Sequence, residues 1–186
     1  MRQGDVATKL EEGTIKMRKK MMATLLMGAT LVSGSGISAN AATPSASSSL
    51  KAQLQYIVEE EKLARDVYTA LAASAVNPRF ANIARAEQIH LNETSAILKT
   101  YGIWDPTLTR APGVFYNKTL ASLYSTYVAR GSKSLADAYA VGVAIEQADI
   151  ADLANIAKNA TQSDIRFLLS SLKAGSTNHL AAFKRY

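Results

Sequence analysis

The chain holds only two histidines, His90 and His179, and both fall in stretches whose apolar residues recur at helical spacing. In "FANIARAEQIH", residues 80 to 90, Glu87 precedes His90 by three positions and shares a phase with Phe80 and Ile83. Residues three apart on a helix lie on one face, with Cβ atoms about 5–6 Å apart. The pair can therefore offer a carboxylate oxygen and an imidazole nitrogen to one point. A lone histidine on an apolar face is more often a satisfied core residue than a ligand. The pairing with Glu87, and His179 in phase on another segment, favour ligation.

Three more acids interrupt apolar seams in the same way. Glu61 stands between Ile57 and Ala64, and Glu146 and Asp149 stand between Gly142 and Leu153. An uncompensated buried carboxylate costs several kcal/mol, and a group of them would also repel one another. Two divalent cations remove both problems, because four carboxylates and two neutral imidazoles around two M²⁺ ions sum to zero formal charge. Oxygen-rich sites with one imidazole per metal suit iron first and manganese second. The candidate metal ligands are thus Glu61, Glu87, His90, Glu146, Asp149 and His179. Asp149 has a short side chain and is read either as a ligand or as a group that orients one. Tyr68 and Tyr139, on the same seams, are read as core residues or as hydrogen-bond partners of the ligands. Glu59 and Glu60 lie off the seam and are expected to be solvated, and Asp152 is expected to face solvent.

The elements that must position these residues are helices throughout, with no convincing alternating strand. The Ser cluster at 47–49 supplies an N-cap for helix one, whose seam runs Leu50, Leu54, Ile57, Glu61, Ala64, Tyr68, Leu71. Asn77-Pro78 makes a short turn. Helix two carries Phe80, Ile83, Glu87, His90, Thr94, Ile97 and Tyr101, and stops at Gly102. "GIWDPTLTRAPGVFYN" has two prolines and two glycines and reads as irregular, followed by a short helix around Leu120 to Ala129. Ser134 and Asp137 stand in capping-box spacing at the start of helix three, with the seam Leu135, Tyr139, Gly142, Glu146, Asp149, Leu153, Ile156. Ser163 is expected to cap helix four, with the seam Ile165, Leu168, Leu172, Gly175, His179, Ala182, Tyr186. A short turn, a long connection and another short turn describe an all-α four-helix bundle with a crossover between helices two and three.

The first fifty residues read differently. From Met17, "MRKKMMATLLMGATLVSGSGISANAA" has a basic start, an apolar run and an Ala39-Asn40-Ala41 end, the pattern of a secretory signal cut after Ala41. The run is too short and too often broken by glycine and serine to span a membrane comfortably. Translation is expected to begin at Met17, with residues 1–16 outside the product. Residues 42–49 read as a linker and 50–186 as the bundle. A leader of 1–41 takes six basic and three acidic residues with it, so a chain of net charge +6 leaves a mature protein of +3. The remaining basic residues are scattered singly, which excludes a nucleic-acid stripe. There is no cysteine, and all five methionines lie in the leader.

These residues resemble a known family. "EKLARDVY" is similar to the E-x-x-A-R-x-x-Y of rubrerythrin-type ferritin-like proteins, "FANIARAEQIH" to their F-x-x-I-A-x-x-E-x-x-H, and "IEQAD" to their third-helix E-x-x-E, with Asp149 in place of the second Glu. "EEEKLARDVY", "GVF", "IEQADIADL", "DIRF" and "GSTNHLAAF" together look like the DUF2202 group of ferritin-like domains, in order over residues 50 to 186. The resemblance implies a ferritin-like bundle and a di-iron carboxylate site. One departure stands out: the related pattern has a second E-x-x-H on helix four, and here Ser176 stands three residues before His179. The related proteins also carry a Cys-ligated iron module for electrons, so any electron supply here comes from an external donor.

The leading expectation is a secreted, periplasmic or cell-surface protein that binds two metal ions and performs oxidase- or peroxidase-type chemistry with dioxygen or peroxide. A non-catalytic module for metal capture, storage or sensing is the alternative. A metal-free helical interaction domain, with the acids paired to Arg65 or Arg85, is the third. No nucleic acid and no stable membrane span are expected among the partners, and a homodimer is left open.

Overall fold

The computed structural model describes residues 44–185 apart from position 76. The expected leader, the first two residues of the expected linker and Tyr186 lie outside them. The described residues form five helices and no strand: α1 (Ser48–Ala75), α2 (Pro78–Thr100), α3 (Lys118–Gly131), α4 (Leu135–Ala157) and α5 (Ser163–Phe183). Helix α1 packs along α2 and α4 along α5; α1 against α4 and α2 against α5 close the ring of a helical bundle. The short α3 lies over α1 and α4. No helix among the described residues is long and apolar enough to cross a membrane.

Local chemistry sets most of the boundaries. Ser47 Oγ accepts a hydrogen bond from the Leu50 N–H (3.2 Å), so α1 opens inside the serine cluster. Asn77 Oδ1 accepts from the Arg79 N–H (3.0 Å) with Pro78 in the first turn of α2. That helix ends in a Schellman motif: Gly102 has φ +60°, its N–H donates to Lys99 and the Ile103 N–H reaches back to Leu98. Ser134 Oγ accepts from the Asp137 N–H (3.0 Å) at the start of α4. The expectation for Ser163 does not hold. Ser163 is already helical, the cap position is Gln162, and its side chain makes no capping hydrogen bond. Residues 44–47, at the end of the stretch read as a linker, lie against the bundle: Ala46 is buried and the Ser45 carbonyl accepts from Gln162 Nε2 (2.9 Å).

The apolar core is divided in two. One cluster gathers Tyr68, Leu71, Phe80, Tyr139, Phe183 and the inner face of α3. The other gathers Leu54, Ile57, Leu98, Leu153, Ile165 and Leu172. Each of the four long helices crosses from one cluster to the other through a buried polar residue: Glu61 on α1, Glu87 and His90 on α2, Glu146 and Asp149 on α4, Ser176 on α5. Each fully buried Leu, Ile or Phe contributes about 1.5–3 kcal/mol. The two clusters therefore hold the bundle closed around a polar layer that does not itself favour burial.

The structure corrects the expectation for Glu59 and Glu60. Both are buried, Glu59 because the connection between α2 and α3 covers its flank of α1. The Glu59 carboxylate accepts from the backbone N–H groups of Tyr116 (2.6 Å) and Asn117 (3.0 Å). One turn on, Lys62 Nζ donates to Asp66 Oδ2 (2.5 Å) and to the Ala111 carbonyl (2.9 Å), and sits 4.5 Å from the centroid of the Phe115 ring. Asp66 Oδ2 also accepts from the Gly113 N–H (2.9 Å). The connection between α2 and α3 is thus tied to α1 by charged side chains that receive its backbone groups. Asp152 is half-buried rather than facing solvent. Asp66→Ala should leave the Lys62 ammonium buried without its carboxylate and cost about 3–5 kcal/mol. For a chain of this size that is a fall in Tm of roughly 10 °C. Thermal unfolding checks it, and metal uptake by the folded fraction should not change.

Candidate metal centre

Glu87 is the hub of the polar layer. Its Oε2 accepts from His90 Nδ1 at 2.9 Å, and its Oε1 lies 2.7 Å from His179 Nδ1. Because α2 passes between α1 and α5, one carboxylate faces an imidazole from its own helix and another from α5. Glu61 of α1 adds Oε2 at 3.4 Å from His90 Nδ1, and Glu146 of α4 adds Oε1 at 3.6 Å from His179 Nδ1. Two trios result, Glu61–Glu87–His90 and Glu87–Glu146–His179, and in each the donor atoms lie within 4.8 Å of one another. The two imidazole rings face each other with centroids 5.5 Å apart and planes 29° apart.

These groups can hold a metal ion, and their hydrogen bonding fits that role. Glu61 Oε1, Glu87 Oε1 and His179 Nδ1 are buried without a hydrogen-bond partner. The 2.7 Å approach of His179 to Glu87 lies off the hydrogen-bonding direction, so the two atoms converge without satisfying each other. Native proteins pair nearly all buried polar atoms. Donors aimed at a common point are the arrangement that a cation completes.

Without metal, protons share out the charge. Burial raises the Glu61 carboxyl to about 8, aided by the Glu87 charge and opposed by His90. Burial likewise raises Glu146 to about 8, with the Glu87 charge adding to it. Burial also works against ionised Glu87, but His179 and His90 outweigh it and bring Glu87 down to about 2. For the imidazoles, burial disfavours the cation, yet Glu61 and Glu87 lift His90 to about 11, and Glu146 and Glu87 lift His179 to about 9. In the metal-free layer ionisation thus favours Glu87, which lies between the two imidazoles, while burial works against ionisation of Glu61 and Glu146.

The remaining candidates fall into place around this centre. Tyr68 Oη donates to Glu146 Oε1 (2.7 Å) and is held neutral by burial and by the Glu146 charge, well above the usual phenol range. The Tyr139 hydroxyl instead accepts from Asn77 Nδ2 (3.3 Å) at the turn between α1 and α2. Asp149 is buried but belongs to neither trio; its Oδ2 accepts from Ser176 Oγ at 2.6 Å. Ser176, which stands where the related pattern has a glutamate, thus spends its hydroxyl on Asp149 and on the Leu172 carbonyl (2.9 Å). Arg65 is engaged with Asp66 and Gln88, and Arg85 with Asn82, so neither is the partner of the central acids. Sequence reasoning missed Gly175 as more than a small seam residue: a Cβ there would lie 2.5 Å from His90 Nε2. The signal was present, since a glycine in mid-helix is a poor helix former and asks for a packing reason.

The chain has relatives. An uncharacterised protein of the archaeon Methanocaldococcus jannaschii, MJ0754, is 43% identical over 127 residues, 68% of this chain and 69% of that protein. A crystal structure of hypothetical protein MJ0754 from Methanococcus jannaschii superposes with a TM-score of 0.73 at 39% identity, covering 81% of this chain and 84% of that one. The family described as "Uncharacterized protein domain (DUF2202)" matches residues 51–186, all five helices except the first turn of α1. The chain therefore belongs to the DUF2202 family.

Proposed function

We propose that this protein is a ferritin-like bundle that binds two divalent metal ions, iron before manganese, and carries out oxidation chemistry with dioxygen or peroxide. The observation that supports it most is the split use of Glu87, one oxygen toward each histidine, with one further carboxylate beside each. Glu61, Glu87 and His90 would hold one ion and Glu87, Glu146 and His179 the other, with Glu87 common to both. Bound iron would supply the one-electron steps of that chemistry.

The protein's own residues set the conditions for that chemistry. Two apolar clusters exclude water above and below the layer. Tyr68 donates its Oη proton to Glu146 Oε1, the oxygen that also lies 3.6 Å from His179 Nδ1, and so orients that carboxylate within the site. Asp149, tied to Ser176, stands ready beside the layer as a fourth carboxylate. With it, two M²⁺ ions are neutralised, and without it one positive charge remains. Ser176 brings no carboxylate, so each ion would draw two carboxylates and one imidazole from its trio and would have room for a small molecule besides.

A signal ahead of Ala42 would place this activity outside the cytoplasm, and amino-terminal sequencing of the exported protein should begin at Ala42. For the activity itself, protein purified without chelator should contain iron or manganese. Stopped-flow addition of Fe²⁺ in air should give ferric absorbance faster than the buffer blank, and faster than a Glu87→Ala variant. Two bound ions with no oxidation above the blank would leave a binding module for capture or storage.

A further inference from the structure

Helix α5 contributes His179 as a donor, and it makes a second contribution through a residue with no side chain. Gly175 lies one turn before His179 on the same seam. The His90 ring packs directly against its Cα: an added Cβ would meet Nε2 at 2.5 Å and Cε1 at 2.6 Å, closer than real Cβ contacts come. The ring is not free to retreat. Its other nitrogen, Nδ1, is held by Glu87 at 2.9 Å and lies 3.4 Å from Glu61, and the His179 ring faces it at 5.5 Å. Gly175 therefore acts as the floor under an imidazole whose opposite edge is the donor edge.

On this geometry, and resting on the two-metal reading above, we infer that Gly175 is a positioning residue for metal binding: the missing Cβ lets α5 press the His90 ring into the orientation that presents Nδ1 to the Glu61–Glu87 pair. The residue type is not what the helix itself prefers, because alanine is the better helix former at an interior position. The space requirement of His90 outweighs that preference here. The effect is also one-sided. The His179 trio takes its donors from Glu87, Glu146 and His179, none of which the added Cβ meets. Gly142 provides a comparison outside the polar layer. Its own added Cβ would strike the Phe183 ring at 2.8 Å, deep in an apolar cluster and away from either histidine.

The test is Mn²⁺ titration by calorimetry, under argon, of the parent, Gly175→Ala, His90→Ala and the double variant, with electron paramagnetic resonance of the loaded proteins. The parent should take up two ions. Gly175→Ala should keep its helical circular dichroism and retain one ion of near-parental affinity. The other should bind at least tenfold more weakly, and the Mn–Mn coupling should be lost. In the His90→Ala background, Gly175→Ala should cause no further loss, because the residue through which it acts is gone. Two ions of unchanged affinity in Gly175→Ala, or an additive loss in the double variant, would overturn the inference while leaving the two-metal reading intact. A parent that binds no Mn²⁺ would overturn both. If Gly175→Ala fails to fold, Gly175→Ser with His90→Ala offers the same comparison, the relief of the clash restoring the fold if the clash is with His90.

Discussion

Glu87→Ala should abolish uptake of both metal ions, whereas Glu61→Ala and Glu146→Ala should each weaken one ion and spare the other. Glu87 is the residue common to both trios, with Oε2 toward His90 and Oε1 toward His179. Loss of one of the two carboxylates in a trio leaves an ion with one acid and one imidazole, and affinity should fall by about two orders of magnitude or more. Loss of the shared carboxylate does this to both ions at once and also removes the anion that screens the two rings from each other. The metal-free variant should pay as well, since two imidazoles lifted by Glu87 would lose their partner. Breaking a buried charge pair by removing one side costs about 3–5 kcal/mol. Equilibrium dialysis of the three variants against Mn²⁺ checks the pattern. Equal, partial losses in all three would mean that Glu87 is not shared.

The second large effect is in pH. Glu61 and Glu146 are raised to about 8 in the folded metal-free protein, against 4.5 for an ordinary carboxyl. The folded state thus holds protons that the unfolded state releases, so this contribution to stability is present below about 4.5 and is lost as pH rises through 8. His90 and His179, raised from 6.5 to about 11 and 9, act in the same direction over a higher window. Glu87 acts oppositely: lowered to about 2, it supports the fold above 4.5 and ceases to do so as pH falls toward 2. The metal-free protein should therefore lose stability steadily between pH 6 and 9. Metals replace those same protons, because ligands must be deprotonated to bind. The loaded protein should keep its Tm over that range, and the gap between the two should widen with pH. Metal affinity should rise with pH, and loading should release protons from Glu61, His90, Glu146 and His179. Paired titrations in buffers of different ionisation enthalpy count those protons. A gap that narrows as pH rises, or loading with no proton release, would refute this account of the layer.

How much of this was legible in the sequence depends on how many faces a helix buries. For α2, α4 and α5, one apolar stripe faces the bundle, and its phase put Glu87, His90, Glu146 and Asp149 inside without ambiguity. Helix α1 buries two flanks. The stripe through Ile57, Glu61 and Tyr68 faces the other long helices, while Glu59, Lys62 and Asp66 face the connection between α2 and α3. No period records a loop lying on a helix, because the loop's backbone groups are met by charged side chains instead of apolar ones. The alternation of sign at three- and four-residue steps was the available clue, and on a solvated helix it reads as ordinary surface. Ser163 failed for a local reason: two adjacent polar residues, Gln162 and Ser163, competed for the cap position and the helix began one residue earlier. Tyr139 shares the seam of Glu146 but lies two turns away, and the turn residue Asn77 takes its hydroxyl. The hydrogen bond between Ser176 and Asp149 was beyond pattern reading, since it joins α4 to α5 across a distance that no single-helix period encodes.

The central claim is that Glu87 joins two ions, and its most direct measurement is the magnetic resonance of the protein loaded with Mn²⁺. Two ions per chain, spin-coupled through a shared carboxylate, should give a low-temperature signal that differs from isolated Mn²⁺, collapses to a single-ion spectrum in Glu61→Ala and is absent from Glu87→Ala. A parent protein that binds no Mn²⁺, binds only one, or binds two that remain magnetically independent would contradict it.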